Sequence, residues 1–110
     1  LIAAISTLKT IIRNMDLFGR IGGEEFAVLL PQTNLHDATE LAERLREALA
    51  KMEVKVGELI ITVTASFGVA FVDVKNESLA DSMSRGDVAL YRAKFRGRNC
   101  VEQADGSDCL

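Results

Sequence analysis

An α+β fold with an antiparallel sheet and helices on one face follows from three features of this sequence: apolar residues recur at helical spacing in three segments, glycine-centred turns join short strand-like runs, and the elements run helix, hairpin, helix, long strand, helix, short strand. That order is not the alternation of a doubly wound sheet. A length of 110 residues suits one domain with one core, and 48% apolar against 26% charged residues is the balance of a globular soluble chain.

The first helix is read from Leu1, Ile2, Ile5, Leu8, Ile11 and Ile12, one apolar stripe running to about Asn14. Leu17 to Ile21 and Glu24 to Leu30 are strand-like runs separated by Gly22-Gly23, the two-residue turn of a tight hairpin, and Pro31 ends the second run. Asn34 with Asp37 forms a capping pair, after which Ala38, Leu41, Ala42, Leu45, Ala48, Leu49 and Met52 make a second helical stripe. Val54 to Val56 and Leu59 to Thr64 flank a second turn at Gly57-Glu58, and Phe67 to Val72 continues as a buried strand. The polar stretch Asp73 to Ser78 is a loop that caps a third helix through Ser78 and Asp81. Leu79, Met83, Leu90 and Ala93 carry that helix to about Phe95, and Gly97 stops it. Asn99 to Glu102 is a short final strand, residues 1–103 form the domain, and Ala104 to Leu110 is a flexible tail.

A net charge of −3 argues against a module that grips nucleic acid through many phosphate contacts, so no DNA partner is expected. Its apolar runs are far shorter than the roughly 20 residues a membrane-spanning helix needs, and no signal peptide is visible. Cys100 and Cys109 lack metal-ligand spacing or a disulfide framework, which favours a reducing cytoplasm. Because Leu1 opens inside an amphipathic pattern without an initiating Met, the chain reads as a piece of a longer protein.

Arg20-Ile21-Gly22-Gly23-Glu24-Glu25-Phe26 resembles the signature of the GGDEF family, the catalytic module of bacterial diguanylate cyclases. Further segments follow in the family's order: Leu29-Leu30-Pro31, Val63-Thr64-Ala65-Ser66-Phe67-Gly68-Val69-Ala70, and Gly86-Asp87-Val88-Ala89-Leu90-Tyr91-Arg92-Ala93-Lys94 with Gly97-Arg98-Asn99. The resemblance implies a ferredoxin-like βαββαβ core of the nucleotidyl-cyclase and polymerase-palm type. It also implies condensation of two GTP into cyclic di-GMP by a homodimer, each domain holding one GTP, downstream of a sensory or regulatory domain. Gly86 departs from the family's usual alanine.

Attack of a ribose 3′-hydroxyl on an α-phosphate needs Mg²⁺ or Mn²⁺ and neutralisation of triphosphate charge, and hard cations want carboxylate oxygens. By resemblance Glu24 is the metal ligand, and Glu25 joins the site as a further catalytic acid; strand alternation sends the two side chains to opposite faces. Gly22 and Gly23 permit a sharp turn and close approach of substrate to the backbone. Lys94 and Arg98 match the family's phosphate-contacting cations. Arg13-Asn14-Met15-Asp16, ending six residues before Gly22, matches its RxxD inhibitory motif, whose Arg13 and Asp16 with Arg44 would bind cyclic di-GMP and give product feedback.

Other residues take ordinary readings. His36 reads as solvated, Arg92 and Arg96 as surface charges, and Phe18, Phe26, Phe67, Phe71 and Tyr91 as packing residues. The family's first strand, with the other metal-binding aspartate, and its FKxxND-like segment have no counterpart in the sequence. That strand is central in a ferredoxin-like sheet, so these residues alone are expected to be weakly active or inactive and to pair with another chain or rearrange. Two competing readings stand beside the enzyme: a catalytically silent domain that binds cyclic di-GMP through Arg13, Asp16 and Arg44, and a dimerisation domain retaining only the fold.

Overall fold

The computed structural model describes residues 17–22, 25–73 and 75–104. The expected first helix, Arg13, Asp16, Gly23, Glu24 and Cys109 lie outside the described residues. The order is β1 (Leu17–Gly22), β2 (Glu25–Leu29), α1 (Leu35–Lys51), β3 (Glu53–Val56), β4 (Leu59–Thr62), β5 (Phe67–Val69), α2 (Leu79–Phe95) and β6 (Val101–Gln103).

Strands β1 and β2 form the expected antiparallel hairpin, but its end sits one residue further on than the sequence indicated. Gly22 is a strand residue paired with Glu25, while Arg20 pairs with Phe26, so Ile21 is an extra residue on the β1 side. A bulge of this kind shifts the register and tightens the local twist. Gly22-Gly23 is therefore not the pair of residues between the strands.

Helix α1 starts where its cap dictates: Asn34 Oδ1 accepts the Asp37 N–H at 2.7 Å. Ala42, Leu45 and Leu49 are buried on one face of it, and each leucine withdrawn from water stabilises the fold by about 2 kcal/mol. Helix α2 carries a full capping box, with Ser78 Oγ accepting the Asp81 N–H and Asp81 Oδ2 accepting the Ser78 N–H, both at 3.2 Å. Both helices pack against the β5–β6 pair.

The buried positions of α2 are Ser82, Ala89 and Ala93, not the large apolar residues expected. Leu79 (53% exposed), Met83 (42%) and Tyr91 (69%) face outward. The reason is the closeness of β5: a Cβ on Gly68 would lie 2.2 Å from the Gly86 carbonyl oxygen and 2.5 Å from the Leu90 nitrogen. Such an approach admits only small side chains along the seam, and Gly86 falls between Ser82 and Ala89 in that row.

The long buried strand expected over Phe67 to Val72 is instead the short, half-buried β5, Phe67–Val69. It pairs with β6 in parallel, Phe67 opposite Val101 and Val69 opposite Gln103, whereas the sequence suggested an antiparallel arrangement throughout. A helix crossing over from one strand to the next brings them together in the same direction, and α2 is that crossover. The final strand also starts two residues later than expected, at Val101. Beyond Val69 the carbonyl of Phe71 accepts from Arg85 Nη2 at 2.6 Å, and Phe71 itself is half exposed rather than packed. Ala104, assigned by sequence to the tail, is buried and donates its N–H to Val69 O at 2.7 Å.

The second hairpin forms as expected around Gly57-Glu58, with Val56 opposite Leu59, but β4 stops at Thr62 and its apolar residues are exposed. Among the described residues the pairing comes as three two-stranded sheets, β1–β2, β3–β4 and β5–β6. A two-stranded ribbon has no third layer to cover both faces, which leaves Leu59, Ile60 and Ile61 in solvent. Among the described residues the β1–β2 hairpin shares no ladder with the β5–β6 pair. No helix among the described residues is long and apolar enough to cross a membrane.

Candidate functional site

The C-terminal end of α2 supplies the best-defined part of the site. Gly97 has φ +113, Arg98 donates its N–H to Ala93 O at 3.0 Å, and Gly97 donates to Lys94 O at 3.4 Å. This is a Schellman ending, in which a left-handed glycine turns the chain back over the last carbonyls of the helix. It puts Lys94 in the final helical turn, half-buried, and Arg98 just past it, exposed. The helix C-terminus carries partial negative charge, which favours lysine and arginine there even before any ligand arrives. One local device thus fixes the backbone at both Lys94 and Arg98.

Arg98 and Asn99 both adopt left-handed backbone, with φ of +65 and +48. Asn99 tolerates this region better than most residues, whereas arginine does so only where its surroundings hold it. Asn99 donates its N–H to Ser66 Oγ at 3.2 Å, and its Oδ1 accepts from Arg46 Nη1 on α1 at 3.2 Å. Cys100, half-buried, donates its thiol to Ala93 O at 3.3 Å, and its carbonyl accepts the Phe67 N–H at 2.9 Å. Arg46 had no sequence signal beyond its ion pair with Glu43 three residues before it, 2.9 Å.

Of the signature, Gly22 and Glu25 are placed as the last paired residues of the β1–β2 hairpin. Gly23 and Glu24 lie outside the described residues, so the expectation that Glu24 and Glu25 face opposite ways has no structural counterpart here. Arg44 is exposed on α1 and lines an open groove of about 360 Å³ with His36, Thr39, Glu40, Glu43 and Gln103. Its expected companions Arg13 and Asp16 are again outside the described residues.

Two residues read as plain surface charges turn out to brace the site. Arg92 donates through Nη2 to Gln103 O at 2.6 Å, and Arg96 pairs with Glu102 at 2.7 Å, tying α2 to β6. His36 is exposed, as expected, and pairs with Glu40 at 3.1 Å. With Asp37 these residues bring one potential ligand atom each within 4.8 Å. All three are exposed near the start of α1, the ordinary setting of a solvated surface cluster.

The described residues thus form a small α+β domain in which Lys94 and Arg98 flank the end of one helix and Gly22 and Glu25 close the β1–β2 pairing. The chain belongs to the GGDEF domain family: the family model described as "Diguanylate cyclase, GGDEF domain" matches residues 1–100. Diguanylate cyclase DgcM of Escherichia coli (strain K12) is 45% identical over 101 residues, 92% of this chain and 24% of that protein. Among solved structures, diguanylate cyclase SiaD from Pseudomonas aeruginosa, in complex with its activator SiaC, superposes with a TM-score of 0.86 at 40% identity, covering 92% of this chain and 38% of that one. The GGDEF domain of DgcB from Caulobacter crescentus, in complex with c-di-GMP, superposes with a TM-score of 0.85 at 29% identity, covering 92% and 60%. The chain thus spans about a quarter of the length of the curated relative.

Proposed function

We propose that the protein containing this chain is a diguanylate cyclase that condenses two GTP into cyclic di-GMP and two pyrophosphates. The observation carrying the reading is the match of residues 1–100 to the GGDEF family model, with named diguanylate cyclases among the relatives; the Schellman ending, with Lys94 in the last turn of α2 and Arg98 just past it, is in keeping with it. In each half-reaction the 3′-oxygen of one GTP bonds to the α-phosphorus of the other. The bond from that phosphorus to the bridging β-phosphate oxygen breaks, pyrophosphate leaves with the bonding electron pair, and the hydroxyl proton passes to solvent.

Lys94 and Arg98 hold the triphosphate and offset its charge, Lys94 as a point charge and Arg98 as a planar fork. Gly22 and Gly23 let the nucleotide approach the backbone. The carboxylates of Glu24 and Glu25 are hard oxygen donors of the kind Mg²⁺ or Mn²⁺ prefers, with Glu24 the ligand and Glu25 the second acid. When bound, the cation polarises the phosphoryl oxygens and stabilises the charge that builds on them. Because each domain holds one GTP, the active species is a homodimer, and an upstream domain controls how the two meet. These residues by themselves turn over GTP weakly or not at all, since one of the two metal-binding carboxylates and most of the base-reading groups are expected elsewhere in the protein.

Product feedback works through Arg13, Asp16 and Arg44, whose arginines suit the O6 and N7 edge of guanine or a phosphate and whose carboxylate accepts from guanine N1 and N2. Arg44 is exposed on α1, which leaves its guanidinium accessible to a ligand. The test is to incubate the parent protein with GTP and Mg²⁺ and assay cyclic di-GMP. Product that disappears in Glu24→Ala and in Glu25→Ala upholds the proposal; no product, or undiminished product in either variant, overturns it.

A further inference from the structure

Two consecutive non-glycine residues in left-handed backbone need an external hold, and at Arg98 and Asn99 the hold comes from three separate elements. Ser66, just before β5, accepts the Asn99 N–H; Arg46 of α1 donates to Asn99 Oδ1; and the last turn of α2 accepts the Arg98 N–H through Ala93 O. Arg46 is itself aimed: its Nε and Nη2 both donate to Glu43 Oε2, at 3.0 and 2.9 Å, which leaves Nη1 to reach across 53 residues of sequence to Asn99.

We propose that Arg46 and Ser66, acting through Asn99, are positioning residues that fix the backbone from which Arg98 reaches the triphosphate, an inference that rests on the assignment of Arg98 to phosphate binding. Arg46 does not itself touch substrate. Its effect is to remove the freedom Arg98 would otherwise lose on binding, so loosening it weakens the hold on the β- and γ-phosphates and leaves the nucleoside end untouched.

The experiment uses the full-length parent and 3′-deoxy-GTP, which binds as GTP does but lacks the attacking hydroxyl, alongside 3′-deoxyguanosine 5′-monophosphate. Arg46→Ala and Ser66→Ala are each expected to weaken 3′-deoxy-GTP roughly three- to tenfold, about the worth of one hydrogen bond, while the monophosphate changes less than about twofold. In an Arg98→Ala background the same substitutions add nothing, because the group they serve is gone. Arg46→Lys restores part of the affinity. A merely structural role predicts equal losses for both nucleotides and an undiminished effect without Arg98, and either result overturns the proposal. If Arg98→Ala alone leaves 3′-deoxy-GTP affinity unchanged, the phosphate assignment and this inference fall together. Amide exchange separates the two failures: Asn99 N–H exchange that does not rise in Ser66→Ala removes the clamp while leaving the phosphate assignment standing.

Discussion

Gly68 on β5 and Gly86 on α2 are in backbone contact: a methyl group at 68 would come within 2.2 Å of the Gly86 carbonyl oxygen, while a methyl at 86 would meet nothing nearer than Ala70 Cβ at 3.8 Å. The two glycines share one seam but are not equivalent. Gly68→Ala must push strand and helix apart and is expected to destabilise by about 1–3 kcal/mol or more. Gly86→Ala fits and gains helix propensity, stabilising by about 1 kcal/mol. Urea denaturation of the two variants checks both signs, and a destabilised Gly86→Ala would show that the seam is tighter than this.

Glu77 carries a pH dependence of known sign. Hydrogen bonds from Arg85 and Ser82 hold its carboxyl below the ordinary value of 4.5, outweighing the opposing effect of burial, with the Asp73 N–H and the Arg85 charge adding to them. A lowered value in the fold means that Glu77 stabilises fully above the unfolded value and loses that contribution as the pH falls through the folded one. The thermal midpoint of the wild type should therefore exceed that of Glu77→Gln at pH 7, with the gap closing below about pH 4. A gap that persists to pH 2 would place the effect in packing instead of charge.

Lys94→Ala and Arg98→Ala should each lower kcat/KM of the parent protein for GTP roughly 10- to 100-fold, the range for a charge-assisted hydrogen bond. Their circular dichroism should match wild type, since the Schellman ending uses backbone groups and Gly97 rather than these side chains. Steady-state kinetics decides it.

Arg44→Ala and Arg13→Ala should raise the cyclic di-GMP concentration that half-inhibits the parent at least about tenfold without lowering the uninhibited rate. Inhibition titrations in both variants check this, and unchanged inhibition in either would remove that arginine from the product site.

The two helix caps act on separate helices and share no partners. Asn34→Ala and Ser78→Ala should each cost about 1 kcal/mol and combine additively in the double variant. Equilibrium unfolding measures all three.

What could be read from the sequence alone was whatever a few neighbouring residues decide among themselves. Asn34 with Asp37, Ser78 with Asp81 and Gly97 mark the helix ends because caps and left-handed turns are local hydrogen-bond problems, and their solutions held. The signature and the segments that follow it identified the family for the same reason, since they are short and keep their order.

Tertiary structure decided what depends on distance between elements. The extra residue at Ile21 moved the end of the β1–β2 hairpin, because register is set by the pairing partner and not by the glycines alone. Strand β5 stops at Val69 because β6 is three residues long, and Tyr91 and Met83 face solvent because the Gly68 contact leaves room only for alanine and serine. Arg46 lies 53 positions from Asn99 in the chain, and only the packing of α1 beside the end of α2 brings the two together.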